Sequence, residues 1–246
     1  MDNVYVLDIE TGANNEAMRD YAGLEPWRVR QGNAKIDSIA VIAPDGELSQ
    51  IVNDHLDDQR WAKEVQKLVV SLKGKQVWAH NALFDIAWII ATLQPDKTGN
   101  IPVEVKDIEW HDSMLLARWL TNGQKAEYMH FSLSLANLCK TFLKDDPDLD
   151  DFLGVKSEDV VAGEDDAYWE RRGMLDVIMT QKLVRFLKPK MSKTQVGGFK
   201  LESNCLIPVA NSWLLGLRID LDQLAVIDKE YNDKIDGICK ELEISR

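Results

Sequence analysis

The chain has 246 residues, 45% of them hydrophobic and 28% charged, enough to bury a sizeable core in one large domain or one domain with an appendage. Its net charge of −12 excludes a general polyanion binder, since such proteins carry a basic face. Cys139, Cys205 and Cys239 lack CxxC or Cys/His ligand spacing, no leader is expected before the first strand and no membrane-length apolar run occurs. A reducing cytoplasm is therefore expected, rather than secretion or a bilayer.

In chain order, a strand is expected at 4 to 9, within "VYVLDIETG". "IDSIAVIAPDGELSQIVND" reads as a hairpin, with β-branched runs flanking the turn residues Pro44-Asp45-Gly46. These make three adjacent, antiparallel strands. Apolar spacing then predicts a helix over 56–72, a short buried strand in "KQVWAH" and a second helix in "NALFDIAWIIATL". A weak strand is expected around "EVKDIEW", followed by helices in "HDSMLLARWL", "FSLSLANLCKTFL" and "AYWERRGMLDVIMTQKLVRFL". The sum is an α/β fold, a mixed sheet flanked by helices. Residues 144–166 are acidic and aperiodic, as in a solvated loop; as a calcium loop from Asp146, Asp148 and Asp150 they fail, with Asp151 replacing the required Gly and Ser157 the terminal Glu. Residues 188–200, "KPKMSKTQVGGFK", read as a linker.

The chemistry sits in the acids. Residues i and i+2 of a strand point to the same side, so Asp8 and Glu10 face one place. Like charges forced together stay protonated unless a cation compensates them, and an oxygen-preferring divalent metal, Mg2+ or Mn2+, does so. Asp85 sits one turn into an apolar helix, and Asp176 interrupts "GMLDVIMTQKLVRFL" in the same manner. Burying either without a partner costs several kcal/mol. Singly each has an ordinary reading: a turn cap for one of Asp8 and Glu10, a helix cap for Asn81, a surface acid with a lysine partner for Asp176. Together, four such acids point to one site.

"DIET" on the first strand, then "NALFD", then "MLDVIMTQKL" on a late helix resemble the Exo I, Exo II and Exo III motifs of the DEDD superfamily of 3′–5′ exonucleases. The match spans residues 4 to about 187. The helices between Exo II and Exo III are similar to those in proofreading domains of family A, phage-type DNA polymerases. Beyond them, "LESNCLIPVANSWLLGLRIDLDQLAVIDKEY", with its turn Gly216-Leu217-Arg218-Ile219-Asp220, resembles the start of the polymerase part.

The resemblance implies an RNase H-like fold with a C-terminal helical extension. It places an exonuclease domain at 1–190 and a linker with a helical, thumb-like start at 191–246. It also implies two divalent metal ions on Asp8, Glu10, Asp85 and Asp176, with Asp8 bridging, Glu10 and Asp176 completing the ion that activates water, and Asp85 holding the other. The partners implied are a single-stranded DNA 3′ end and a polymerase part in the same or a separate chain, in the cytoplasm of a bacterial host if the source is a phage.

One position departs from the pattern. The superfamily carries a Tyr four residues, or a His five residues, before the last Asp; here stand Arg172 and Arg171. Arginine has no acceptor and is no general base, although it grips phosphate. Tyr168, two turns before Asp176, is the candidate substitute. Thr11, Asn81 and Phe84 fall in matched motifs and are expected at the terminal nucleotide. Trp27, beside Arg28 and Arg30, is either a stacking surface for a single strand or a core indole in a buttress loop. Trp78, Trp88 and Trp119 are expected to pack, and Asp112 to cap a helix; His111 and His130 match no motif. Two other functions stay open: a free-standing exoribonuclease and a non-catalytic scaffold of a split polymerase.

Overall fold

The computed structural model describes residues 3–13, 25–53, 57–94, 99–121, 132–154, 166–216 and 220–242, with backbone only for 166–170. Strand β1 (Tyr5–Ala13) is followed by a 3-10 turn, Pro26–Gln31, and by the hairpin β2 (Ala34–Ile42) and β3 (Leu48–Val52). The hairpin turns at Gly46, whose φ of 93° suits only glycine, and is closed by the Ala43 N–H donating to Glu47 O at 2.8 Å. Helix α1 (Asp58–Ser71) starts on the Asp57 cap, which accepts from the Arg60 N–H. Then come β4 (Gln76–Ala79), α2 (Ala82–Leu93), the short α3 (Val103–Lys106), β5 (Glu109–Asp112) and α4 (Ser113–Thr121). Helices α5 (Leu135–Phe142), α6 (Leu149–Gly154), α7 (Asp166–Leu187), α8 (Lys193–Asn204), α9 (Leu206–Leu215) and α10 (Leu221–Glu241) complete the order.

The sheet runs β3-β2-β1-β4-β5, antiparallel through the hairpin and parallel from β1 through β4 to β5. It is the expected RNase H-like mixed sheet flanked by helices, with helices continuing after α7. Strand alternation divides the core. Leu7 and Ile9 join α1 and α2 on one face, while Val4 and Val6 join α4, α5, α7 and α8 on the other. By that alternation Asp8 and Glu10 follow Val4 and Val6 onto the face of α7. Helix α2 is apolar on every side and buried, as its sequence requires. It needs a cover, and Leu206, Ala210 and Leu214 of α9 belong to that cluster.

Three expectations give way. The strand around "EVKDIEW" begins only at Glu109, after α3, and takes in His111 and Asp112, so α4 starts at Ser113. Pro102, capping α3, and the bond from Trp110 Nε1 to Val105 O explain the fold-back. Within the acidic stretch 144–166, α6 buries Phe152 completely; two large apolar residues suffice to dock one turn of it. Residues 155–165 lie outside the described residues. The linker at 188–200 is a 3-10 turn and then α8, opened by a capping box between Ser192 and Gln195. Gly198 lets α8 approach closely, for a Cβ there would fall 2.3 Å from the Trp119 ring.

The chain divides into two compact units, Met1–Leu215 and Gly216–Arg246. In the second, Gly216 is left-handed and Asp220 caps α10 by accepting from the Asp222 and Gln223 N–H groups; Leu217, Arg218 and Ile219 of the expected turn lie outside the described residues. No helix of the described residues is long and apolar enough to cross a membrane.

Candidate active site

Asp8, Glu10 and Asp176 each present a carboxylate oxygen to one point, all within 4.8 Å of one another. Two come from alternation on β1, the third from α7, which crosses the same face. The crossing is close at Gly173, where a Cβ would lie in van der Waals contact with Ala40 and the Glu10 side chain at 3.6 and 3.7 Å. At Gly12 the Asp37 carboxylate occupies the place of a Cβ. The ladder between β1 and β2 shifts register between Glu10 and Thr11, so Thr11 leaves the regular alternation.

Asp85 is 3% exposed on the first turn of α2. The Ile9 backbone N–H donates to it, which ties α2 to β1 between Asp8 and Glu10. Its place depends on the bend before the helix. Asn81 has φ 67°, and among the described residues it is the one non-glycine with positive φ. Asparagine tolerates that region better than most residues. Asp112, closing β5, holds the bend by accepting from the Asn81 N–H at 3.1 Å, the Ala82 N–H at 3.2 Å and the Met114 N–H at 2.7 Å. The cap expected for α4 thus also anchors α2, a role invisible in sequence because the two segments lie thirty residues apart. His80 sits between Ser113 Oγ and Leu133 O, and burial pushes its pKa down to about 4.

The acids carry the electrostatic cost of their arrangement. Burial raises Asp8 well above the ordinary carboxylate range, and Asp176, Glu10 and Asp85 add to it. Burial raises Glu10 to about 8, with Asp176 contributing, and Asp176 to about 6. Asp85 is raised by burial against the lowering effect of its backbone bonds. Arg172 opposes the trend at Asp8, Glu10 and Asp176. Carboxylates crowded this way suit a hard divalent cation, and a donor set of oxygens alone is what Mg2+ or Mn2+ takes.

The remaining candidates lie less centrally. Phe84 is half-buried and packs against Trp88 with ring centroids 5.8 Å apart. Trp27 is half-buried and meets Trp213 edge-on at 5.9 Å, and Arg28 pairs with Glu25. Trp78 and Trp88 are buried and Trp119 half-buried, as expected of packing residues. His111 packs in a three-ring cluster with Trp78 and Phe199. The Tyr168 side chain and His130 lie outside the described residues. Asp146 and Asp148 both receive Lys182 Nζ, at 2.6 and 2.7 Å, a salt bridge in place of a calcium site.

No protein-family model and no curated protein matches this sequence. Solved structures do share its fold. One, described as the apo form of a nuclease, is 18% identical with a TM-score of 0.56 and covers 87% of this chain and 86% of its own. NrnC of Brucella melitensis with bound Mg2+ is 14% identical, TM-score 0.50, over 87% of this chain and 86% of that one. The POL domain of Pol1 from M. smegmatis, in complex with DNA primer-template and dNTP, is 14% identical, TM-score 0.52. It covers 95% of this chain, which spans a third (33%) of that polymerase chain.

Proposed function

We propose that the chain is a metal-dependent 3′–5′ exonuclease that removes nucleotides from the 3′ end of a DNA strand, as the proofreading module of a family A DNA polymerase. The convergence of Asp8, Glu10 and Asp176 carries the reading. It is supported by the fold shared with a nuclease and with NrnC bearing Mg2+. The polymerase assignment is supported by the greater share of this chain, 95%, that finds a counterpart in Pol1. In this reading the nuclease part is the first unit, and the helix from Leu221 leads toward a polymerase thumb in the same or a separate chain.

Asp8, Glu10, Asp85 and Asp176 would hold two divalent ions. Bound there, the ions supply an activated water and neutralise charge on the scissile phosphate and the departing 3′ oxygen, so no protein nucleophile is required. The chain's own part is to fix four oxygen donors on rigid elements before substrate arrives. Thr11, Asn81 and Phe84 line the end of β1 and the start of α2 as contacts for the terminal nucleotide. Arg172 offers a guanidinium to a phosphate and no base to the water. Tyr168 is the residue to test for that second role.

Equal-length, 5′-labelled DNA and RNA single strands, incubated with Mg2+, Mn2+ or chelator, test the proposal. Stepwise shortening of DNA from the 3′ end, lost on chelation and in Asp8→Asn, is the expected result. Faster shortening of RNA makes the chain an exoribonuclease. No metal-dependent product makes it a scaffold, a reading that the Arg172 pairing at Asp176 favours.

A further inference from the structure

Arg172 is held as few surface arginines are. Its Nε donates to Asp176 Oδ2 at 3.1 Å and its Nη2 lies 3.1 Å from Asp176 Oδ1. Nη1 donates to Phe152 O at 3.4 Å, and the guanidinium carbon stands 4.8 Å from the Phe152 ring centroid. Phe152 is itself fully buried, so this is a rigid seat. Asp176 has both oxygens facing the fork, yet among the described residues Oδ1 accepts no hydrogen bond. The same carboxylate presents an oxygen to Asp8 and Glu10. A divalent ion and the guanidinium therefore draw on one pair of oxygens.

We propose that Arg172 is a positioning residue for metal loading: it holds Asp176 as an internal counter-cation, yields it to a divalent ion, and turns its fork to the phosphate of the bound nucleotide. The inference rests on the exonuclease reading and deepens it. A planar guanidinium forks onto a phosphate as readily as onto a carboxylate, so the exchange keeps the charge paired. Its consequence is thermodynamic. Metal and nucleotide phosphate favour each other's binding through Arg172, and by linkage each tightens the other by the same factor.

Calorimetric titration of Mn2+ into the full chain, with and without thymidine 5′-monophosphate, tests this in wild type, Arg172→Gln and Arg171→Gln. Arg171 is the exposed neighbour, so its variant makes the same charge change without touching the fork. With Mn2+ alone, Arg172→Gln is expected to bind at least tenfold more tightly than wild type and Arg171→Gln within twofold of it. The nucleotide is expected to tighten Mn2+ at least tenfold in wild type and by a factor at least threefold smaller in Arg172→Gln, where only direct metal–phosphate contact remains. Loss of a merely structural residue would loosen the metal, not tighten it. Equal or weaker Mn2+ binding in Arg172→Gln, equal tightening in Arg171→Gln, or an unchanged nucleotide effect overturns the inference and leaves the exonuclease reading standing. If neither wild type nor Arg172→Gln binds Mn2+, both fall. Should Arg172→Gln fail to fold, Arg172→Lys, which keeps charge but loses the fork, must bind Mn2+ at least threefold more tightly than wild type, or the inference is overturned.

Discussion

Asp8 and Asp112 stand two strands apart in one sheet and are compensated in opposite ways. Asp112 is 1% exposed, and three backbone N–H groups from two helix starts surround it. Burial still raises its pKa, but only to about 6. Asp8 is raised by burial and then further by Asp176, Glu10 and Asp85, with Arg172 as its opposing charge. An acid satisfied by backbone organises the chain around it. An acid gathered with other acids costs stability until a cation arrives, and such cost is the signature of a site kept for chemistry.

The comparison breaks most readily at Asp8. On the proposed exonuclease reading, Asp8→Asn is expected to lower that activity by at least a thousandfold, about 4 kcal/mol of transition-state stabilisation, because a ligand of the proposed metal site is lost. The same substitution removes a crowded charge, so in chelator at pH 8 the variant should melt above wild type. Activity from labelled DNA and a melting curve read both. An Asp8→Asn protein that is active and melts lower would place Asp8 with Asp112.

Asp112→Ala should do the reverse to stability. Three N–H donors lose their acceptor at buried helix starts, and each unsatisfied group costs about 1–3 kcal/mol when no water reaches it. With partial relaxation the loss is about 3 kcal/mol, or a melting point lower by about 6–12 °C for a chain of this size. Activity falls as well, since the Asn81 bend that sets Asp85 relaxes. Asp112→Asn keeps one acceptor oxygen and should recover part of both. Unchanged melting in Asp112→Ala would remove the distinction between the two acids.

Titration sharpens the same contrast. Glu10 is raised from 4.5 to about 8 and Asp176 from 3.8 to about 6, burial being the first cause in each. Over those intervals the folded chain binds more protons than the unfolded one. The contribution of these groups is therefore fully present below pH 4 and is lost as pH rises through 6 and then 8. In chelator the melting point should fall by a few degrees from pH 6 to pH 8. Saturating Mn2+ should remove that slope, since it binds the ionised acids and displaces their protons. A slope unaffected by Mn2+ would detach the shifts from the metal.

The sheet and its acids were legible because alternation and turn chemistry are local. "VLDIETG" places Asp8 and Glu10 on one face, and Pro44-Asp45-Gly46 marks the hairpin. Asp176 was legible as an acid in an apolar helix, and its meeting with β1 followed from family resemblance. What stayed hidden depends on long-range partners. Nothing local marks Phe152 as the seat of Arg172, since its neighbours are acids of a solvated stretch. Asp112 reads as a cap for the next helix, while its second duty lies across the sheet at Asn81. Helix α8 was obscured by Gly197 and Gly198, poor helix formers; at Gly198 the Trp119 ring occupies the space a side chain would need.

A third mode of compensation gives the smallest effect. Asp146 and Asp148 share the Lys182 ammonium, with Asp148 half exposed and Lys182 29% exposed. Water screens such pairs, so Lys182→Met should cost about 1 kcal/mol or less, a melting shift of about 2–4 °C. It should leave Mn2+ affinity unchanged, because neither acid belongs to the cluster of Asp8. The variant also frees two carboxylates near each other. If they were a cation site closed by lysine, Ca2+ would raise its melting point; the stretch lacks the glycine and terminal glutamate of a calcium loop, so no rise is expected. A rise would make Lys182 a second arginine-like counter-cation and reduce the contrast between Asp8 and the other acids to one of degree.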